Sequence, residues 1–186
     1  SYRKCFLALA LACTMAVSAT MTVSVDNQKI VLNRDGQITV LAPNGQDESY
    51  YWVSLSPDQT QILYSTAHHG TCVCDLNGNV LRSLGRLNAP KWMDNENVSG
   101  MVEHYSETEH DLVDHIDYYG QNLQTLKKRA LTKAETKEFL RMENEHKAQL
   151  RAENEARAAA RRDIRTAGLT GLKIYVNAGH GGHDPN

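Results

Sequence analysis

No stretch of this 186-residue chain is apolar for long enough to cross a membrane as a helix, which takes about 20 residues. The best candidate, Cys5 to Ala16, falls short. Basic charge is not in excess either. Twenty Lys and Arg stand against 22 Asp and Glu, a formal net charge of −2, which argues against nucleic acid as a partner. Cysteine is sparse, with four in all, and no EF-hand loop or zinc-finger spacing is present.

What is there starts with a leader. Ser1-Tyr2-Arg3-Lys4 is a basic opening, Cys5 to Ala16 is apolar, and Val17-Ser18-Ala19 offers small residues at a cleavage site. That is the pattern of a secretory signal peptide over 1–19, and it predicts an exported protein, periplasmic or extracellular. A competing reading makes Cys13 a lipidated anchor, but the residue three before it is not a large aliphatic one. Loss of Arg3 and Lys4 would take the net charge from −2 to −4. Cys5 and Cys13 would leave too, so only Cys72 and Cys74 remain in an oxidising compartment. They alternate on an expected strand and so share a face, a poor geometry for a mutual disulfide. They read as small buried apolar residues.

From about Thr22 to Lys128 the chain repeats itself. Gly36, Gly78 and Gly120 are each 42 residues apart, and each opens a similar phrase: Asp35-Gly36-Gln37-Ile38, Asn77-Gly78-Asn79-Val80, Tyr119-Gly120-Gln121-Asn122. Asp-Gly and Asn-Gly between apolar runs signal hairpins. Residues 28 to 127 are therefore expected to form antiparallel hairpins with turns at the three glycines. A period of 40–45 residues made of short strands is that of a four-stranded β-propeller blade.

Leu55-Ser56-Pro57-Asp58, then Ile62-Leu63-Tyr64-Ser65, then Val73-Cys74-Asp75-Leu76-Asn77-Gly78 resembles the blade signature of TolB-like propellers. Ala89-Pro90-Lys91-Trp92 resembles the Pro-x-Trp that opens such blades. Gln59 stands where that family has a turn Gly, and Met93-Asp94-Asn95-Glu96 is a version of the turn one residue shorter. The residues themselves read as structural. Pro57 presets a turn, Asp58 bonds its own backbone two residues on, and Trp52 and Trp92 are apolar anchors between blades. His68-His69-Gly70 reads as a solvated hairpin turn, with metal binding as the alternative. His104, His110 and His115 lie among acidic residues between Glu103 and Asp117. A solvated acidic hairpin is the preferred reading there, with a divalent-ion loop as the alternative.

At Leu131 the character changes. Thr132-Lys133-Ala134-Glu135 is a capping box. Neither Pro nor Gly then occurs before Gly168, and Ala, Glu, Arg and Lys, all good helix formers, dominate. The apolar seam (Phe139, Met142, Leu150, Ala156, Ala160, Ile164) is too thin for a strong coiled coil. Residues 131–167 thus read as a charged spacer helix. Glu143–Lys147 and Glu153–Arg157 are pairs in the favourable order, and Ala167-Gly168-Leu169-Thr170-Gly171 is the expected end.

Leu172-Lys173-Ile174-Tyr175-Val176 reads as a buried strand running into Asn177-Ala178-Gly179-His180-Gly181-Gly182-His183-Asp184-Pro185. This resembles the opening strand and turn of zinc-dependent N-acetylmuramoyl-L-alanine amidases of the amidase-3 type, with Ala178 where that family has Pro. The resemblance implies that residues 171–186 start a truncated α/β domain and that His180 is a zinc ligand. It also implies that the remaining ligands and the catalytic Glu lie further along a longer protein, with peptidoglycan as substrate. The 186 residues alone are expected to be inactive. The fold class expected is mainly β, a partial propeller of two to three blades, plus one long charged helix and the first strand of the α/β domain. The alternative function is a non-catalytic propeller that binds an envelope glycan or an envelope protein. A third is an envelope assembly factor that uses the long helix as its contact.

Overall fold

The computed structural model describes residues 20–169. The leader (1–19) and the segment carrying His180 lie outside the described residues. Eleven strands and one helix follow in order: β1 (Met21–Asp26), β2 (Lys29–Arg34), β3 (Gln37–Leu41), β4 (Tyr50–Leu55), β5 (Gln61–Thr66), β6 (Thr71–Asp75), β7 (Val80–Gly85), β8 (Asn88–Trp92), β9 (Asn97–Tyr105), β10 (Val113–Asn122), β11 (Lys128–Ala130) and α1 (Lys133–Leu169). The protein is thus mainly β with one long helix. Its strands form three antiparallel sheets, each joined in chain order: β1-β2-β3, β4-β5-β6-β7 and β8-β9-β10-β11. No helix among the described residues is long and apolar enough to cross a membrane.

The central sheet is the one buried on both faces. Successive side chains of a strand point to opposite faces, and β5 puts Ile62 and Tyr64 on one side and Leu63 on the other. In β6, Cys72 and Cys74 face the first cluster and Val73 the second. The first cluster joins these residues to Ile30, Leu32 and Leu41 of the β1-β2-β3 sheet. The second joins Leu63, Val73 and Leu84 to Leu87, Val98 and Leu123. Each such side chain contributes about 1.5–3 kcal/mol of burial, so the core lies in the two seams between sheets. Both cysteines are free and buried. Burial pushes the Cys72 thiol up, and burial together with the charge of Asp75 pushes Cys74 to about 12. Both shifts disfavour the thiolate that reactivity requires.

Local chemistry sets the turns. Asn27-Gln28 and Asp35-Gly36 each close a two-residue hairpin with both residues at positive φ, the turn that matches strand twist. Between β4 and β5, Asp58 Oδ1 accepts from Ser56 Oγ and from the Thr60 backbone N–H, and Ser56 Oγ accepts from the N–H groups of Thr60 and Gln61. Gln59 sits in the left-handed region (φ 58°), the place where glycine carries no steric cost. In the shorter turn after β8, Asp94 Oδ1 accepts from Glu96 and Asn97 N–H. Trp52 and Trp92 both pack against the second cluster. Trp92 Nε1 also donates to Ser54 O across the seam at 3.2 Å.

One expected turn is elsewhere. Gly36 and Gly78 are turn residues (φ 88° and 84°), but Gly120 lies inside β10, paired with Ser99 and Arg129. The turn itself comes later. Asn122 Oδ1 caps the N–H groups of Gln124 and Thr125, and Leu126 takes the positive φ of 58°. At Gly120 a Cβ would fit tightly, 3.3 Å from Met93 Sδ and 3.4 Å from a Leu131 methyl, both ends of flexible side chains.

The β-rich unit ends at Thr136 and a second begins at Lys137. The capping box forms as expected: Glu135 N–H donates to Thr132 Oγ1 at 3.2 Å and Thr132 N–H to Glu135 Oε2 at 2.9 Å. Arg129 grips the same Glu135 with two guanidinium nitrogens at 2.7 and 2.8 Å. Along the helix most residues are exposed, Leu150 and Ile164 included. Lys147 pairs with Glu143 at 3.5 Å, and Arg141 binds both Glu138 and Glu145. Gly168, expected at the cap, is still within the helix.

Candidate functional site

The second seam opens at one end into a cleft of about 410 Å³. Its walls come from the turn after β4 (Asp58), the start of β5 (Gln61), β7 (Leu81, Arg82), the turn after β8 (Asn95, Glu96) and the turn after β10 (Leu123, Gln124). Six of these eight side chains are polar, which follows from the position: turn residues cap strands with Asx-type bonds and leave polar groups outward. The cleft is held from both sides. Asn95 Oδ1 accepts from Asp58 N–H at 2.9 Å. Arg82 Nε donates to Leu123 O and Nη1 to Leu81 O, each at 2.6 Å, which fixes the guanidinium plane in the wall. Hydrogen bonds from Ser56 and Thr60 hold the Asp58 carboxyl below its ordinary range. The cleft thus presents anions, amides and one oriented guanidinium together, an arrangement that orients a polar ligand.

At the far end of β5 the turn expected to be merely solvated is engaged. The side chain of Glu48 is 2% exposed, and it receives His68 Nδ1 at 3.1 Å and His69 Nδ1 at 2.5 Å. Burial alone would raise its pKa. Hydrogen bonds from His69, from Ser49 N–H and from His68 outweigh that and lower it to about 2. Its stabilising effect is therefore complete above the ordinary value of 4.5 and lost as pH falls through about 2. Acid melts between those limits should show a steep loss of thermal stability, and Glu48→Gln should flatten it. An equal slope in the variant would remove Glu48 from the acid response.

The third cluster lies on the β9-β10 hairpin. The acidic stretch is a hairpin as expected, and it brings His104, His115 and Asp117 together, whereas His110 lies in the loop between the strands. Sequence alternation signals which residues share a face of each strand. It does not signal that His104 stands opposite His115, because an irregularity between Val113 and His115 shifts the register. His180 lies outside the described residues.

No family model matches the chain, and no curated protein matches it.

Proposed function

We propose that this chain belongs to an exported cell-envelope protein. Its three stacked sheets act as a propeller-like binding module, and the cleft at the second seam takes peptidoglycan or another envelope glycan. The observation that carries this reading is the cleft itself, a rigid wall of Asp58, Gln61, Arg82, Asn95, Glu96 and Gln124 between two sheets. Sugars present arrays of hydroxyls, and planar carboxylates and amides offer the paired donors and acceptors that match them. A guanidinium adds a fork for a stem-peptide carboxylate. The TolB-like blade phrases support the finer propeller reading, because the turns and strands of the second sheet fall on those residues.

Cosedimentation with purified peptidoglycan sacculi tests this reading. The chain should pellet with sacculi, and the double variant Glu96→Ala, Gln124→Ala should pellet at least tenfold less. Both residues are exposed, so folding should be unchanged by circular dichroism. A wild-type chain that stays in the supernatant would refute the glycan reading and leave an envelope protein as the ligand.

A second reading rests on one sequence observation, the apolar run Leu172 to Val176 followed by Gly179-His180-Gly181-Gly182. In this reading the protein that carries the whole of that domain is a zinc-dependent peptidoglycan amidase. His180 is one metal ligand, and the β module brings the substrate to it.

A further inference from the structure

The β9-β10 hairpin outgrows its sheet. β8 reaches only to Met101, and on the other side the last main-chain bond is Leu131 N–H to Tyr118 O, so the ladder beyond them, residues 102–105 with 113–117, is two-stranded. Two-stranded ribbons are marginal in water without a further stabilising device. His104, His115 and Asp117 all sit on this arm and on one face of it. His104 is directly opposite His115, and Asp117 lies two residues further along β10, opposite Val102.

We propose that His104, His115 and Asp117 form a zinc site that staples the two strands of this arm. The two imidazoles stack with centroids 4.4 Å apart and planes 10° from parallel, and both Nε2 atoms converge on the same oxygen. His104 Nε2 lies 3.1 Å and His115 Nε2 3.9 Å from Asp117 Oδ2, and the ligand atoms all lie within 4.8 Å of one another. Tetrahedral zinc at about 2.0–2.1 Å from its ligands sets them about 3.3 Å apart, so the stacked rings must tilt toward each other for both in-plane lone pairs to meet one ion.

Two further features favour a cation over a plain polar cluster. His104 Nε2 is shut off from solvent and makes no hydrogen bond, although Asp117 is near. An orphaned buried polar atom calls for an explanation, and a metal ion between it and the carboxylate supplies one. The outer contacts are also those of a metal site. Asp114 Oδ2 lies 2.8 Å from His115 Nδ1, and since a carboxylate only accepts, Nδ1 carries the hydrogen and Nε2 the lone pair. Tyr119 Oη donates to Asp117 Oδ2 at 3.0 Å and fixes that carboxylate. Two imidazoles and one carboxylate suit zinc better than calcium or magnesium. The three side chains are each about half exposed, which leaves a fourth position for water.

Titration of the metal-free 186-residue chain with zinc, followed by calorimetry, tests the site directly. One zinc per chain is expected, with binding weakened at least tenfold by His115→Ala or Asp117→Asn. Asp114→Ala, a positioning change, should weaken it about 10–100-fold. Hydrogen exchange of the amides in 102–105 and 113–117 should slow on zinc addition in the wild type and not in His115→Ala. His180→Ala should leave all of this unchanged. If His180→Ala removes the zinc while the hairpin variants keep it, or if the wild type binds none, the staple does not exist.

Discussion

Gly70→Ala should lower the unfolding free energy by about 3 kcal/mol or more, among the largest effects of any single methyl group in the β-rich unit. Two separate penalties meet there. The backbone stands at φ +71°, a conformation that costs an L-residue about 1–2 kcal/mol. The added Cβ would also lie 2.4 Å from Gly85 O and 2.9 Å from Gly85 C. Those are backbone atoms, and Gly85 is paired to Thr71 in the sheet, so no side chain can swing aside. Overpacking of this kind adds about 1–3 kcal/mol. The turn would move with Gly70, because Gly70 O accepts from Thr66 N–H at 2.8 Å and Thr66 Oγ1 caps His69 N–H at 2.8 Å. His68 and His69 would then lose their seat on Glu48. Gly45→Ala is the control: its φ is +106° but no atom lies within 4 Å of the added Cβ, so only the backbone penalty applies. Urea denaturation that ranks Gly45→Ala as the worse of the two would refute this geometry.

Much of the fold was legible because short-range chemistry dictates it. Short apolar runs mark β5 and β6, Ser56-Pro57-Asp58 marks the turn between β4 and β5, and the Thr132/Glu135 box marks the helix start. Each expectation is met within a residue or two. The period was less secure. β8 starts 38 residues after β4, but β11 starts 48 after β7, because the β9-β10 arm is longer than the hairpin it parallels. Equal glycine spacing therefore carried Gly120 into the middle of a strand. The clusters were least legible. Glu48 is buried by histidines some 20 residues away, and nothing near it in the chain announces that. The cleft is made by three turns and two strands from two sheets, a juxtaposition that packing creates and that no local phrase encodes.

On the amidase reading proposed above, His180→Ala carries the largest functional effect. In a protein extended through the whole amidase-type domain, the wild type should hold zinc there and release stem peptides from peptidoglycan. The variant should lose that activity, because a catalytic zinc has only three protein ligands and removal of one opens the site. Total zinc should fall by one ion and not to zero, since the hairpin site is independent. Equal cleavage by wild type and variant would end the enzyme reading and leave the binding module standing by itself.

The most direct measurement on the binding module is a chemical-shift map of the chain on addition of soluble peptidoglycan fragments. Shifts should concentrate at Asp58, Gln61, Arg82, Asn95, Glu96 and Gln124, the polar wall of the cleft at the second seam. Residues of the first sheet and the exposed length of the helix should stay in place. A map with no shifts at saturating fragment, or one centred on the helix or on β1 to β3, would contradict the assignment of this cleft as the binding site.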